Sequence, residues 1–162
     1  MKNSDAEGTE KQRRTTKKKQ IRLSENEVTE IIIGCAIKVH TILGPGLSKA
    51  AYEECMGYAL SNTGLEIERQ KTLPLNDDEV KLDAHRLDFL ANRKVILEIK
   101  SGDTLHNSHL EKIHSCLRLS GCKSGLLIDF NVEHLRNGIK RVANHNYRCR
   151  SLSVSPVVQE KF

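Results

Sequence analysis

Arg86-Leu87-Asp88-Phe89-Leu90-Ala91-Asn92-Arg93-Lys94-Val95-Ile96-Leu97-Glu98-Ile99-Lys100 is the stretch that decides the fold. Two mainly apolar runs flank the polar tripeptide Asn92-Arg93-Lys94, which reads as a hairpin loop. Side chains alternate faces along a strand, so loop length decides which residues share a face. With three loop residues, Ala91 faces Val95, Phe89 faces Leu97 and Leu87 faces Ile99, and one face is wholly apolar. The other face opposes Arg86 to Lys100, Asp88 to Glu98 and Leu90 to Ile96. A two-residue loop would oppose Asp88 to Leu97 and Glu98 to Leu87, mixing the faces. The three-residue register is therefore expected.

That register sets two carboxylates directly opposite each other, an arrangement that repels. Two readings account for it. Arg86 and Lys100, one step along, can offset the acids in a surface charge cluster. Alternatively, a divalent cation sits between Asp88 and Glu98, since magnesium takes oxygen ligands and commonly one or two carboxylates. Lys100 then projects to the same side, where it could activate water or stabilise transition-state charge. Spacing alone does not choose between the two.

Working outward, Ser24-Glu25-Asn26-Glu27 matches a capping box. Val28, Ile31, Ile32, Cys35, Val39, Ile42 and Leu43 follow at helical spacing until Gly44-Pro45-Gly46 stops the helix. These glycines lack a following Lys-Ser or Lys-Thr, so they are a helix stop and not a phosphate loop. A second helix is expected from Lys49 to Thr63, and strands at 66–74, 80–90 and 95–101. Leu75-Asn76-Asp77-Asp78 reads as a turn. Leu110, Ile113 and Leu117 mark a third helix, and Ser124–Phe130 carries the apolar run of a buried strand. Strand, helix and strand in that order imply a right-handed parallel crossover. A short helix at 132–137 and an edge strand at 152–158 complete the expectation.

The chain has 162 residues and a formal net charge of +5. At this length roughly 68–70% of the unfolded surface is buried, enough for a core. No run approaches the ~20 apolar residues of a membrane helix, and no signal-peptide core is present, so the cytoplasm is the default location. Residues 1–22 are expected to be a disordered basic arm, with residues 23–162 forming one domain. Arg13, Arg14, Lys17, Lys18 and Lys19 in that arm read either as nucleic-acid contacts or as a solvated tail. The five cysteines, at 35, 55, 116, 122 and 149, form no C-x-x-C pair, which argues against a disulfide framework or structural zinc. Tryptophan is absent and aromatic residues make up 4%, which argues against a base-stacking single-strand binder. His106, His109 and His114 have no acid or cysteine at supporting spacing and read as solvated side chains, with His109 close to the charged hairpin face.

Asp88, a hairpin turn and Ile96-Leu97-Glu98-Ile99-Lys100 resemble the core motif of the PD-(D/E)XK nuclease superfamily. More narrowly, the chain resembles bacterial GxxExxY proteins. The matching segments are Leu43–Leu47, Ala51-Tyr52-Glu53, the hairpin, Leu117–Gly121, Gly125–Asn131 and Gly138–Val142, which together span roughly 28–143. The resemblance implies an α/β, restriction-endonuclease-like core with a mixed central sheet of about four to five strands flanked by helices. It implies Mg2+ (or Mn2+) held by Asp88, Glu98 and the Ile99 carbonyl, a catalytic Lys100 and a nucleic-acid partner, DNA or RNA. The implied activity is magnesium-dependent hydrolysis of phosphodiester bonds. The alternative is a catalytically inactive nucleic-acid-binding or protein-interaction module on the same fold.

The chain departs from the family pattern at three positions. Lys49 stands where the pattern has glutamate, and Lys112 and Cys116 stand where it has glutamine and tyrosine. Glu53, one helical turn after Lys49, could compensate. An ammonium from Lys49 could also take the place of a cation and quiet the Asp88–Glu98 repulsion.

Overall fold

The computed structural model describes residues 22–73, 86–102 and 105–145. The basic arm up to Ile21, the turn at Asp77 and Asp78, the first half of the expected second strand, Cys149 and the expected strand at 152–158 lie outside the described residues. The order is α1 (Glu25–Leu43), α2 (Lys49–Ser61), β1 (Ile67–Thr72), β2 (Arg86–Ala91), β3 (Val95–Lys100), α3 (Asn107–Ser120), β4 (Ser124–Asp129), α4 (Leu135–Gly138) and β5 (Ile139–Ala143). The strands form one mixed sheet in the order β1-β2-β3-β4-β5. Among the described strands only β3 and β4 pair in parallel, and α3 links them.

Local chemistry explains the first helix. The Ser24 N–H donates to Glu27 Oε2 at 2.7 Å and the Glu27 N–H donates to Ser24 Oγ at 3.3 Å, closing the expected capping box. Gly44, with φ 67°, stops α1 in a conformation that most side chains disfavour.

The two faces of the sheet carry separate cores. Val28, Ile32, Tyr52, Met56 and Leu60 from α1 and α2 pack against Phe89, Ala91, Val95, Leu97 and Ile99. On the other face, Ile113, Cys116 and Leu117 from α3 pack against Leu90, Ile96 and Leu127. The sheet is thus buried on both sides, as a parallel βαβ unit requires. Four cysteines among the described residues, 35, 55, 116 and 122, are free thiols.

The hairpin forms in the expected register near its loop, with Ala91 on Val95, Leu90 on Ile96 and Phe89 on Leu97. Asn92 and Arg93 take left-handed backbone angles, φ 48° and 55°, and Asn92 ties the loop to Glu66, just before β1, by its N–H and its side chain. Beyond Phe89 the expectation fails. Leu87 does not pair with Ile99; it joins Leu90 and Ile96 in the α3-side core. Asp88 and Glu98 are not ladder partners, nor are Arg86 and Lys100. Arg86 pairs with Thr72, and Lys100 pairs with Asp129 of β4. The cause lies at Asp88, whose Oδ2 accepts the Ile99 N–H at 2.8 Å. Opposite, Gln70, with φ 49°, drops out of the β1–β2 pairing. A side-chain acceptor and a left-handed residue together end the regular alternation.

Two other elements differ from expectation. The short helix begins at Leu135 rather than Val132. Ile139–Ala143 forms an edge strand against β4 that apolar alternation does not reveal, because Lys140 and Arg141 are adjacent and exposed. Gly138 joins these elements at close quarters. A Cβ there would stand 2.2 Å from the Asp129 carbonyl oxygen and 3.0 Å from Val132 Cγ2. Gly138→Ala is therefore expected to lower unfolding free energy by about 1–3 kcal/mol through overpacking. Urea denaturation measures it, and a change below about 0.5 kcal/mol would show that this junction yields freely.

Candidate functional site at the end of the hairpin

The ends of β2 and β3 and the first turn of α2 converge on two buried carboxylates. Asp88 is 4% exposed and Glu98 1% exposed. Stripping water from a carboxylate costs several kcal/mol unless positive charge and hydrogen bonds replace it. Three lysines supply that charge. Lys49 Nζ lies 3.0 Å from Asp88 Oδ1, 2.9 Å from Asp88 Oδ2 and 3.9 Å from Glu98 Oε1. Lys112 Nζ donates to Glu98 Oε1 at 2.6 Å, and Lys100 Nζ stands 3.2 Å from the same oxygen. At an effective dielectric near 20, an ammonium about 3 Å from a carboxylate gains roughly 5 kcal/mol, comparable to the desolvation cost. The three ammonium groups therefore offset the cost of burying these two side chains.

The local sequence does not favour a lysine at this spot. Lys49 opens α2, where the helix dipole presents positive charge and cations are disfavoured. Tertiary contacts fix the turn instead. The Tyr52 hydroxyl donates to the Gly44 carbonyl at 2.6 Å and accepts the Leu47 N–H at 3.2 Å. The Tyr52 ring stacks on Phe130 with centroids 4.5 Å apart. The Ser101 hydroxyl, just past β3, donates to the Leu47 carbonyl. Together these contacts hold the start of α2 against the β3 end.

Of the residues singled out in the sequence, Asp88, Glu98, Lys100, Lys49, Glu53 and Lys112 come together. Glu53 sits 3.3 Å from Lys49 Nζ and accepts from Gln70 Nε2 at 2.9 Å. Ile99 contributes its amide to Asp88. Arg86 remains exposed and outside the group. His109 lies in the field of Lys100. Burial, then Lys100 and His106, lower its pKa. Sequence reasoning did not single out Gln70 or Asp129. Asp129, 5% exposed, is the register partner of Lys100 and accepts the Asn131 N–H at 2.9 Å. An acid ending a buried strand was the available signal for Asp129; Gln70 offered none.

The lysines bear directly on metal binding. Asp88, Glu98 and Glu53 give three negative charges; Lys49, Lys100 and Lys112 give three positive ones. A magnesium ion bridging Asp88 and Glu98 needs oxygen ligands at about 2.0–2.1 Å. The Lys49 ammonium stands in the space between those carboxylates and would repel it. Among the described residues, no group of three or more His, Cys, Asp or Glu is arranged to hold a metal ion. A divalent ion does not fit this arrangement of side chains.

Burial pulls the Lys49 pKa down, but its bonds and charge contacts to Asp88, Glu98 and Glu53 outweigh that, and the net shift is upward. A proton held more tightly in the folded state stabilises it below the ordinary lysine value, and the contribution fades as pH rises through the folded value. A double-mutant cycle of Lys49→Met and Asp88→Asn is expected to give a coupling of about 1–3 kcal/mol, discounted for the 35% exposure of the lysine side chain. The coupling should hold from pH 7 to about pH 9 and weaken in more alkaline solution. A coupling near zero at pH 7 would mean that the pair is solvated.

No helix among the described residues is long and apolar enough to cross a membrane. No curated protein and no solved structure matches the chain. Residues 26–142 match the family model for the PD-(D/E)XK nuclease superfamily, a span that contains all five strands apart from Ala143 and every residue of the lysine-ringed site. The chain belongs to the PD-(D/E)XK nuclease superfamily.

Proposed function

We propose that this nuclease-like protein binds nucleic acid, with a phosphodiester lying across the rim formed by Lys49, Lys100 and Lys112. The observation that carries the reading is the crowding of three ammonium groups on one oxygen, Glu98 Oε1, at 2.6, 3.2 and 3.9 Å. Lys49 also contacts Asp88 and Glu53, but among the described ion pairs Lys100 and Lys112 share Glu98 alone, and an incoming phosphate oxygen relieves their mutual repulsion. The lysine side chains are 23–35% exposed, so each can reach a ligand without leaving the site. Arg13, Arg14, Lys17, Lys18 and Lys19 would extend the contact along the backbone as a basic arm.

A second reading is magnesium- or manganese-dependent phosphodiester hydrolysis at Asp88, Glu98 and Lys100, the chemistry common in this superfamily. The same partial exposure favours it, because lysines that reach solvent can swing away from the carboxylates.

Fluorescence anisotropy with labelled single- and double-stranded DNA and RNA, between about 50 and 200 mM salt, separates the outcomes. Binding is expected to weaken with salt, and the log–log slope to fall by about two in Lys100→Ala/Lys112→Ala. Removal of residues 1–22 should flatten it further. An unchanged slope in the lysine variant, or no binding to any of the four ligands, would overturn the phosphate role of the rim. Cleavage in excess magnesium or manganese that disappears in Lys100→Ala would establish the hydrolytic reading.

A further inference from the structure

We propose that Lys49 is the resident cation of the hairpin site, and that removing its charge turns the site into one that takes up a divalent ion. Three carboxylates share its ammonium: Asp88 at 2.9 and 3.0 Å, Glu53 at 3.3 Å and Glu98 at 3.9 Å. Carboxylate oxygens are the donor type that magnesium and manganese take, and here they are ranged around an ammonium instead. The other two lysines do not replace it. Lys100 and Lys112 contact Glu98, leaving Lys49 as the cation that reaches Asp88 and Glu53 among the described ion pairs.

The placement of Lys49 supports a dedicated role. A cation in the first turn of α2 opposes the helix dipole, and that turn contains no acid to offset it. The Asp88 side chain lies within the protein, one of its oxygens fixed by the Ile99 N–H. Gly44 and Leu47, held by Tyr52, and Leu47, held by Ser101, fix the approach of the helix. With Lys49 neutralised, the balance of three acids against three lysines becomes three against two. The unpaired charge then falls on Asp88 and Glu53, beside the vacated space. A divalent ion entering there meets Asp88, one oxygen of which the Ile99 amide already fixes.

The experiment uses manganese alone, with the full chain and no nucleic acid, read by calorimetry and by thermal unfolding. Wild type is expected to give no saturable heat and no change in Tm. Lys49→Ala is expected to bind manganese at least about tenfold more tightly than wild type and to gain about 4 °C or more on saturation. Adding Asp88→Asn to Lys49→Ala should abolish both effects. Lys49→Gln, which retains a donor toward Asp88, covers the case in which the alanine variant does not fold alone. Folding of either variant only with manganese supports the proposal. Equal binding by wild type, no binding by either variant, or failure of both to fold even with manganese overturns it. Metal uptake is measured without nucleic acid, so its failure leaves phosphodiester binding by the same rim standing, and loss of nucleic-acid binding leaves the resident cation standing.

Discussion

Two carboxylates sealed from water at the end of a hairpin set the terms for this structure. Asp88 and Glu98 can be buried only if positive charge comes with them. That charge arrives from three directions: Lys49 from α2, Lys112 from α3 and Lys100 from β3 itself. Each helix layer therefore sends one cation to the same end of the β2–β3 hairpin. The site is an electrostatic joint between layers whose interiors are otherwise apolar.

The joint depends on the packing behind it. Phe130, directly after β4, stacks on Tyr52, and the Tyr52 hydroxyl bridges the loop before α2. The Phe130 N–H donates to the Lys100 carbonyl at 2.9 Å, extending the parallel pairing to the site. A fully buried aromatic contact thus positions an exposed charged turn. The direction of dependence follows from energies: aromatic burial and stacking stabilise by a few kcal/mol, whereas the net gain from a solvent-accessible ion pair is small. Packing places the lysine, and the carboxylates then hold its ammonium.

Much of this was readable from local pattern. Ser24 and Glu27 close their capping box, Gly44 stops α1 and the Asn92-Arg93-Lys94 loop sets the near register. Each rests on neighbours within a few residues, where spacing and backbone preference act directly. The reading failed where distant groups compete. Leu87 crosses to the α3 side because Asp88 takes the Ile99 amide opposite the left-handed Gln70. β5 exists because β4 offers it a partner, although its own Lys140-Arg141 pair hides the alternation.

The sequence by itself determined the α/β class, the hairpin, and the placement of acids and a lysine near its end. Those follow from periodicity, turn chemistry and a family pattern carried in short segments. Only the tertiary structure decided that Lys49 and Lys112, far apart along the chain, reach the same buried carboxylate, Glu98. Lys49 lies in a position that helix electrostatics discourages, so no local preference could announce its partner. Its role emerges when burial removes water from Asp88 and Glu98 and makes a nearby ammonium necessary.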